Sequence, residues 1–533
     1  MKSVSLLDCT LRDGGYVNDW EFGHNVITGT YKRLDESGVE YIEVGFLDDR
    51  RPFDINRTIV PNTDCFNVIF ENVEKKHAIP VAMIDFGTCS LENIGDASTT
   101  FIDGIRVIFK KEKIEAALPF CKAIKDKGYK LFIQAISITA YSEQDMLDYV
   151  QKINEIKPYA FSIVDTYGLL DEVKLTSYFR MLEENLDKDI RIGYHAHNNF
   201  QLGFSNSMKF AAQETEHALV VDATVYGMGK SAGNCPIELI SLHLNENYAK
   251  NYDINQFLEI LDTDLMSVYQ KYYWGYKYNF YISAMQNCHP DYVKFLLDRK
   301  TLSISAINQI LAGIPEEIKL LYSKDYIENA YRQHQSKVID DSQALVEIQK
   351  NIERRNILIL GPGKSITPAQ DKIDEFIRNN NAVVIAVNFG PRDIKCDYVF
   401  VSNSKRYSRL VNSRGIKQRA YKLITTSNIT PFDGQLDYVL NYPALLEESQ
   451  QSYDNALLLA LTALRKLNVK KVTLAGFDGF SNEADYYDVS YSFAGNESYK
   501  LQNNEKVIHG LKMIRKEMEL EFLTESLYQK GLS

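Results

Sequence analysis

The sequence lacks the features of several protein classes. It has no Cys-x-x-Cys pair, and its seven cysteines, at positions 9, 65, 89, 121, 235, 288 and 396, are dispersed along the chain. An odd, scattered set is typical of reduced thiols rather than of a disulfide framework. No apolar run approaches the ~20 residues that a membrane span needs, and the first residues have no long apolar core like that of a signal peptide. We therefore expect a cytoplasmic protein without a membrane partner.

Long basic runs are also absent. With the net charge of −11, their absence argues against general nucleic-acid binding. Hydrophobic residues make up 45% of the chain and charged residues 25%, as in ordinary globular proteins. A chain of 533 residues is too long for a single core, so two or three domains are expected.

Residues 1 to about 245 alternate short apolar runs with amphipathic segments. Eight strands are predicted, at Ser3–Asp8, Glu40–Val44, Pro80–Ile84, Gly104–Phe109, Lys130–Ala135, Ala160–Val164, Ile190–Tyr194 and Ala218–Ala223. Helical patterns lie between them, at Asn25–Ser37, Ile114–Lys127, Ser142–Ile156, Leu170–Asn185 and Gln201–Gln213. Eight strands separated by helices predict a (β/α)8 TIM barrel, and a doubly wound open sheet is the alternative. Polar residues after several strands favour the barrel, whose chemistry gathers at the C-terminal strand ends.

Two histidines sit one residue apart in the stretch Gly193-Tyr-His-Ala-His-Asn-Asn199. On a strand, residues i and i+2 point to the same face, so His195 and His197 can reach one metal ion. Asp13, after the first strand, supplies an oxygen ligand. The structural alternatives are two hydrogen-bonded histidines at a strand end and an Arg12–Asp13 ion pair at a barrel mouth.

Two histidines and one carboxylate leave open positions on a divalent ion. A 2-oxo acid, which has adjacent carbonyl and carboxylate oxygens, could chelate there. The ion would polarise the carbonyl and stabilise an enolate, and Arg12 could donate hydrogen bonds to the developing oxyanion. This set can make or break a carbon–carbon bond beside a carbonyl.

Three motifs carry a family resemblance: Asp8-Cys-Thr-Leu-Arg-Asp-Gly14, Tyr194-His-Ala-His-Asn198 and Gly227-Met-Gly-Lys-Ser-Ala-Gly-Asn234. Over about residues 1–335 the chain resembles the metal-dependent lyase and synthase superfamily (DRE-TIM metallolyases) that includes 4-hydroxy-2-oxovalerate aldolase, hydroxymethylglutaryl-CoA lyase and isopropylmalate synthase. It is most similar to the 4-hydroxy-2-oxovalerate aldolase branch. The resemblance implies Mn²⁺ or Mg²⁺ held by Asp13, His195 and His197, with Asn234 matching a further ligand of some members. It also implies that Arg12 stabilises a pyruvate enolate.

One position departs from that branch. The degradative aldolases carry an acid/base histidine three residues after the metal aspartate, and this chain has Tyr16 there. Tyrosine has a reference pKa of ~10, which makes it a poor base near neutral pH. The acid/base is therefore predicted to be Tyr16 itself, a metal-bound water or a residue of the aromatic segment described next.

Residues 246–335 read as helices around the aromatic cluster of residues 272–281. Helices are predicted at Asn255–Tyr273, His289–Lys300 and Ser303–Ala312, and from Ile314 through Lys324 to Arg332. We expect either a helical layer packed on the barrel or a cap that closes the site or contacts a partner. The polar residues 336–353 are expected to be a linker.

Residues 354–533 show a second α/β pattern, which predicts a Rossmann-like domain. Its strands are predicted at Asn356–Leu360, Ala382–Val387, Tyr398–Ser402, Tyr421–Thr425, Asp437–Leu440 and Lys471–Ala475, with a helix at Ser452–Leu467. The turn Gly361-Pro-Gly-Lys-Ser365 is not a P-loop, because Leu358 stands where that motif needs glycine. Thr367 is the expected N-cap of the following helix, with Pro368 at its first position.

Gly361 and Gly363 could still bind the phosphate of a nucleotide or a sugar phosphate through free amides, and a tight structural turn is equally compatible. Asp478, after the last strand, could contact a ligand. The region weakly resembles sugar-transfer or nucleotide-binding domains associated with surface-polysaccharide genes.

The sequence thus predicts a metal-dependent aldolase that acts on a 4-hydroxy-2-oxo acid, with an aldehyde as second partner and with carbohydrate or surface-polysaccharide metabolism as its expected setting. The alternatives are a Claisen-type synthase that uses an acyl-CoA, and a binding or assembly protein whose C-terminal domain carries a transferase function. A homo-oligomer is also expected.

Overall fold

The computed structural model of the protein describes residues 3–299, 302–414, 419–431, 436–448, 454–481, 486–487 and 497–532. The chain divides into two compact units. The first comprises Met1–Val293 and Lys319–Leu321, and the second comprises Lys294–Ile318 and Tyr322–Ser533. None of the described helices is both long and apolar enough to cross a membrane.

The first unit is a closed parallel barrel. Its strands are β1 Val4–Asp8, β2 Tyr41–Leu47, β3 Ile59–Val60, β4 Ile79–Asp85, β5 Gly104–Phe109, β6 Lys130–Ala135, β7 Ala160–Asp165, β8 Arg191–Ala196 and β9 Leu219–Ala223. The order β1-β9-β8-β7-β6-β5-β4-β2, with β1 also pairing β2, closes eight strands into a ring, and the short β3 adds to β2 outside it. The predicted TIM barrel is confirmed, and all eight predicted strands overlap the observed ones.

The helices of this unit follow the strands. They are α1 Gly15–Asn18, α2 His24–Glu36, α3 Asp64–Ile69, α4 Ile114–Asp126, α5 Glu143–Ile156, α6 Glu172–Asn185, α7 Gly203–Ala212, α8 Ile237–Asn247, α9 Ile254–Ile260, α10 Met266–Lys271 and α11 Tyr278–Met285. A π-helical stretch, Leu261–Leu265, joins α9 to α10. The apolar faces of these helices cover the outside of the barrel, which explains why its strands read as continuous apolar runs.

Residues 254–274, directly after the barrel, pack on it as a helical layer, whereas residues 294–318 and 322–335 of the predicted extension belong to the second unit. Phe257 and Ile260 on α9 are buried in the same core as the barrel helices. Trp274, from the aromatic cluster, is 4% exposed and donates from Nε1 to the carbonyl of Tyr226, 3.0 Å away. Tyr226 precedes the glycine-rich loop after β9, so the extension reaches the C-terminal rim of the barrel at this contact.

The second unit contains a seven-stranded parallel sheet. Its strands are β10 Ile357–Leu360, β11 Val383–Val387, β12 Tyr398–Val401, β13 Lys422–Thr426, β14 Tyr438–Leu440, β15 Lys471–Ala475 and β16 Glu519–Phe522, in the order β14-β13-β12-β11-β10-β15-β16. The chain order reverses between β10 and β15. This parallel α/β arrangement confirms the predicted fold class and adds β16, which sequence patterning missed.

The remaining helices begin at the division between the units. They are α12 Pro290–Asp298, α13 Ile304–Ala312, α14 Glu316–Lys319, α15 Lys324–Gln335, α16 Ser342–Ile352, α17 Gln370–Asn380, α18 Ser404–Arg414, α19 Tyr442–Glu448, α20 Ala456–Lys466, α21 Glu497–Ile514 and α22 Leu527–Leu532. Short 3₁₀ helices lie at Leu91–Asn93, Ala97–Thr99, Lys111–Lys113, Ile138–Ala140, Val225–Gly227 and Lys364–Ile366. The start of the predicted Ser452–Leu467 helix lies outside the described residues.

Two expectations differ from the structure. Residues 336–353, expected as a linker, contain α16, whose Ile348 and Ile352 are buried in the core of the second unit. The predicted helix start at Thr367 is wrong, because a 3₁₀ turn occupies Lys364–Ile366 and α17 begins at Gln370 with Ala369 as its N-cap. Ser365, inside that turn, is hydrogen-bonded to Asp478 of a neighbouring loop, and this contact is described below.

Candidate active site

The proposed metal ligands meet at the C-terminal rim of the barrel. Asp13 follows β1, His195 lies in β8, and His197 follows it. One ligand atom from each lies within 4.8 Å of the other two. Asp13 Oδ2 is 3.7 Å from His197 Nε2, and Asp13 Oδ1 is 4.0 Å from His195 Nε2. Atoms bound to one ion at about 2.1 Å lie roughly 3 to 4 Å apart, so these three side chains fit one divalent cation.

Buried atoms without partners support the same fit. His197 is 5% exposed and Asn234 is 2% exposed, and neither His197 Nε2 nor Asn234 Oδ1 has a hydrogen-bond partner among the described residues. Residues His197 and Asn234 face each other in an isolated β-bridge. Buried polar atoms are rarely left unpaired, and a metal ion would satisfy both. Asn234 also donates from Nδ2 to Asp13 Oδ2, 2.7 Å away.

The protonation states suit metal binding. Burial alone would raise the pKa of Asp13, but Arg12 and the two histidines outweigh it and hold that pKa well below its usual value. Burial lowers the pKa of His195 despite the opposing carboxylates of Asp222 and Asp13. The site therefore presents an ionised carboxylate and a neutral imidazole, which are the ligand forms that divalent metals bind.

Asp222, in β9, orients His195. Its Oδ2 lies 2.9 Å from His195 Nδ1, which leaves Nε2 facing Asp13. A carboxylate behind a ligating histidine fixes the tautomer and the ring orientation. Cys9, His195 and Asp222 form a second cluster of metal-ligating type. Arg106 occupies that space, donating to Cys9 Sγ at 3.3 Å, and its positive charge disfavours a cation there.

Arg106 links two parts of the site, the part that holds His195 and the part that holds Arg12. It is fully buried in β5, contacts Asp222 through Nη2, and lies 3.0 Å from Glu43 Oε2 through Nη1. The same Glu43 oxygen accepts from Arg12 Nε at 2.6 Å. One guanidinium thus holds the carboxylate behind His195 and the carboxylate behind Arg12.

Arg12 keeps one donor group for a ligand. Its Nε is bonded to Glu43 and its Nη1 to Asp13, while Nη2 makes no hydrogen bond with any residue that the structure describes. Arg12 is 4% exposed, so its position is fixed. A guanidinium edge held beside the metal position suits an oxyanion.

Tyr16 lies in α1, outside the metal position. The centroid of its ring lies 4.7 Å from the ring centroid of Trp20 and 5.4 Å from Lys230 Nζ. Tyr16 is 39% exposed. Although the side chain is partly exposed, burial of its phenol end raises the pKa of Tyr16 above its usual value, and Arg12 opposes the shift. The phenol is therefore a hydrogen-bond donor at neutral pH and a poor base.

The glycine-rich loop after β9 closes over Asp13. The amide of Lys230 donates to Asp13 Oδ2, 3.2 Å away. A Cβ atom on Gly229 would lie 2.2 Å from Asn234 Nδ2 and 2.6 Å from Asp13 Oδ2. Only glycine allows this approach, so the loop sequence is tied to the close packing around Asp13 and Asn234.

Gly361 and Gly363 lie in the other unit, at the carboxyl end of β10. Their amides donate to the carbonyls of Ala475 and Gly476, both at 2.8 Å. The Ser365 amide and hydroxyl donate to the carboxylate of Asp478. These amides are therefore engaged within the protein, which favours the structural turn over the phosphate cradle.

A cavity of about 150 Å³ adjoins this turn. It lies at the carboxyl ends of β10, β11 and β15, where the strand order reverses. Open parallel sheets bind ligands at such reversals. Its lining includes Asn388, Arg406, Leu457, Phe477 and Asp478.

The sequence predicted Arg12, Asp13, Tyr16, His195, His197 and Asn234 as candidate site residues, and the structure brings these six to one rim. It missed the roles of Arg106 and Asp222. Each is a charged residue inside an apolar strand, and that mismatch was the available signal.

Comparisons with known proteins concern the same part of the chain. Residues 3–263 match the model of the HMGL-like family. An oxaloacetate decarboxylase from Mycobacterium tuberculosis is 20% identical over 321 residues, which are 57% of this chain and 89% of that protein. A 4-hydroxy-2-oxovalerate aldolase from Desulfitobacterium hafniense is 23% identical over 256 residues, 45% of this chain and 71% of that protein. The crystal structure of the N-terminal domain of a Bacteroides vulgatus protein, 24% identical, superposes with a TM-score of 0.49 over 57% of this chain and 99% of that domain.

Proposed function

Residues 3–263 of this chain belong to the HMGL-like family of lyases and aldolases, and from that premise we propose a divalent-metal-dependent aldolase that cleaves or forms a 4-hydroxy-2-oxo acid through a pyruvate enolate. The carrying observation is the convergence of Asp13, His195 and His197, with His197 Nε2 and Asn234 Oδ1 buried and unpaired among the described residues. The carboxylate oxygen suits Mn²⁺ or Mg²⁺, and the two imidazole nitrogens favour a transition ion such as Mn²⁺ over Mg²⁺.

The residues divide the work by position. When bound, the ion would polarise the carbonyl of a 2-oxo acid. Arg12 would donate from Nη2 to the enolate oxygen, and Glu43 and Asp13 hold its guanidinium in place for this task. Trp20, 2.8 Å from the Arg12 carbonyl through Nε1, fixes the backbone at that point. Interactions held in place before the reaction stabilise developing charge without reorganisation.

The names of the relatives are compatible with this chemistry. Cleavage of a 4-hydroxy-2-oxo acid and decarboxylation of oxaloacetate both release pyruvate in its enolate form. We therefore place the shared step, formation of the pyruvate enolate, at the centre of the proposal, and treat oxaloacetate as a competing substrate to be measured.

The proposal is tested in two steps. Metal analysis should find near-stoichiometric Mn²⁺ in the wild type and loss of the metal in His197→Ala, with the exposed His77→Ala as a matched control that keeps it. Exchange of the pyruvate methyl protons in D₂O, followed by NMR, should then require Mn²⁺ and the intact His197. Equal metal content in all three proteins, or an exchange rate that does not depend on Mn²⁺, would contradict the proposal.

Product release separates the alternatives. A screen of 4-hydroxy-2-oxo acids, including sugar-derived ones, should release pyruvate in the presence of Mn²⁺, and oxaloacetate is measured beside them. Condensation of a 2-oxo acid with acetyl-CoA would instead support the Claisen-type synthase. Absence of exchange, cleavage and condensation would support a binding or assembly protein.

We also propose that the second unit binds a nucleotide or a sugar phosphate. We place this ligand in the cavity at the strand-order reversal rather than on the amides of Gly361 and Gly363. Equilibrium dialysis of the full chain with nucleotides and sugar phosphates should detect one ligand. Asn388→Leu should weaken it, because the Asn388 amide lines the cavity, and Asn412→Leu, at an exposed position of α18 that does not line the cavity, should not. No binding by any member would contradict this placement.

A further inference from the structure

Three lysines at the mouth of the barrel form no ion pair with any described residue, and they follow β5 and β9. Besides Arg12, the cationic side chains that follow the strands at this rim include Arg50, Arg51, Lys110, Lys111, Lys113 and Lys230. Three of them are paired, Arg50 with Asp48, Arg51 with Asp19 and Lys111 with Asp145. The other three form no ion pair with any residue in the described part of the chain. The charge that these three lysines carry is therefore available to a ligand.

Lys230 stands nearest to the proposed metal. Its backbone amide donates to Asp13, and its ammonium lies 5.4 Å from the ring centroid of Tyr16. The side chain is only half-buried, in a loop that is held to the barrel by other contacts. Its ammonium group therefore lies at a half-buried position beside the exposed Tyr16, where the part of a substrate distal to the metal would meet it.

Lys110 and Lys113 act on the same space from the β5 side. Both influence the carboxylate of Asp85, the last residue of β4, as Lys230 does. Lys110 and Lys230 also both influence His289, on the extension. Asp85 is half-buried, and burial raises its pKa in spite of these cations. The lysines of two opposite rim segments therefore converge electrostatically on the carboxylate of Asp85.

Lys110, Lys113 and Lys230 outnumber Asp85, the carboxylate on which all three act. Their charge is opposite in sign to the net charge of −11 of the whole chain. A local concentration of one sign at a cleft attracts ligands of the opposite sign. The 2-oxo acid carboxylate belongs at the metal and Arg12, so these lysines are left to bind a second anionic group.

We propose that the aldehyde joined to or released from pyruvate carries an anionic group, a carboxylate or a phosphate, that Lys230, Lys110 and Lys113 bind. This inference rests on the proposed aldolase function and specifies its second substrate. In the condensation, the pyruvate methyl group gives up one proton, the enolate carbon bonds to the aldehyde carbon, and the aldehyde oxygen takes up one proton. Cleavage is the reverse, so no oxidant or reductant is needed.

Matched aldehydes test the proposal. The full chain loaded with Mn²⁺ is supplied with pyruvate and with succinic semialdehyde or butanal, and separately with glyceraldehyde 3-phosphate or glyceraldehyde. We expect kcat/KM for the anionic member of at least one pair to exceed that of the neutral member at least tenfold. The ratio should fall as ionic strength rises, because salt screens exposed charges. The pair that shows the preference distinguishes a carboxylate from a phosphate.

Lysine variants test the residues. Lys230→Met should lower the anionic-to-neutral ratio about tenfold or more, the loss expected for a hydrogen bond to a charged group. Lys110→Met and Lys113→Met should lower it by smaller factors. Lys188→Met is the control, since Lys188 is exposed and paired with Glu183 at 2.6 Å, and it should leave the ratio unchanged.

The outcomes separate this inference from the proposed function. Pyruvate methyl exchange needs no aldehyde, so Mn²⁺-dependent exchange with equal kcat/KM within both pairs would overturn the anionic aldehyde and leave the aldolase standing. An unchanged ratio in all three rim variants would likewise overturn the assignment to these lysines. Absence of exchange would overturn the proposed function and, with it, this inference.

Discussion

Asp222 Oδ2 lies 2.9 Å from His195 Nδ1, a contact that leaves the other ring nitrogen of His195 for a metal ion. Burial would raise the pKa of Asp222, but Arg106 and His195 outweigh it and keep that pKa below its usual value. The ionised carboxylate accepts a hydrogen bond from Nδ1 of His195. The hydrogen bond that Nδ1 donates to Asp222 therefore leaves Nε2 of His195 facing Asp13.

The first prediction concerns that carboxylate. Asp222→Asn keeps the size of the side chain but can present an amide NH₂ to His195, which weakens its hold on the tautomer. We expect Mn²⁺ affinity to fall about 10–100-fold, the usual cost of losing such a partner. Titration calorimetry on the metal-free protein measures it. Asp148→Asn, on the exposed face of α5, is the control, and an unchanged affinity in Asp222→Asn would show that the contact does not tune the site.

The second prediction uses the close approach of the loop after β9. Gly229→Ala would place a Cβ atom 2.6 Å from Asp13 Oδ2, so the loop or the ligand must move. We expect near-complete loss of bound metal with the secondary structure retained. Gly29→Ala is the matched control, because nothing lies within 4 Å of a Cβ atom there. Normal metal content in Gly229→Ala would mean that the loop relaxes without disturbing Asp13.

The sequence predicted those features that depend on local pattern. Alternating apolar runs and amphipathic helices yield the eight barrel strands, and the i, i+2 spacing of His195 and His197 places both on one face. Interior pairings could not be read in this way. Arg106, Glu43 and Asp222 come from different strands, and their contacts exist only once the barrel has closed with its own stagger of strands.

The second unit shows the same limit. Its strands were predicted from apolar runs, but the turn at Gly363 was open to two interpretations. Asp478 favours the structural turn over the phosphate cradle. It lies over a hundred positions away in sequence, and it accepts a hydrogen bond from the Ser365 amide at 2.8 Å. A Cβ atom on Gly363 would lie 2.5 Å from the Asp478 carboxylate and from the carbonyl oxygen of Gly476. Glycine is thus required there by packing between two loops.

The third prediction concerns pH. Asp8 is fully buried, and burial raises its pKa from 3.8 to about 7, although hydrogen bonds from Thr10 oppose the shift. The folded state therefore binds this proton more tightly than the unfolded state. The stability that the proton contributes is complete below about pH 4 and is lost as pH rises through about 7.

Asp8→Asn should remove that dependence, because the amide does not ionise. Relative to the wild type, the variant should gain thermal stability between about pH 4 and 7, by roughly 2–4 kcal/mol in all, and gain no more above that range. Thermal unfolding of metal-free protein at several pH values checks the slope. The exposed Asp148→Asn serves again as the reference, and a difference between Asp8→Asn and wild type that is constant with pH would contradict the burial argument.

The last prediction separates Arg12 from Tyr16. Arg12→Ala should slow pyruvate methyl exchange roughly a hundredfold, since one lost oxyanion donor costs about 3 kcal/mol, while metal content stays normal. Tyr16→Phe should leave exchange nearly unchanged, because the raised pKa of its phenol makes it a donor rather than the base that removes the methyl proton.

Cleavage and condensation should respond differently from exchange, because there a proton must also move at the aldehyde oxygen. If the Tyr16 phenol donates it, Tyr16→Phe should slow condensation about a hundredfold, the usual contribution of a positioned acid. Since phenylalanine keeps the ring against Trp20, a loss restricted to condensation would identify the hydroxyl group itself. If Tyr16→Phe retains normal condensation and Arg12→Ala loses exchange, the enolate site stands and the proton comes from another group at the mouth. Asp85 and His289 are then the next side chains to replace. Normal exchange and condensation in both variants would refute the site, because neither the guanidinium edge nor the phenol would then touch the reacting atoms.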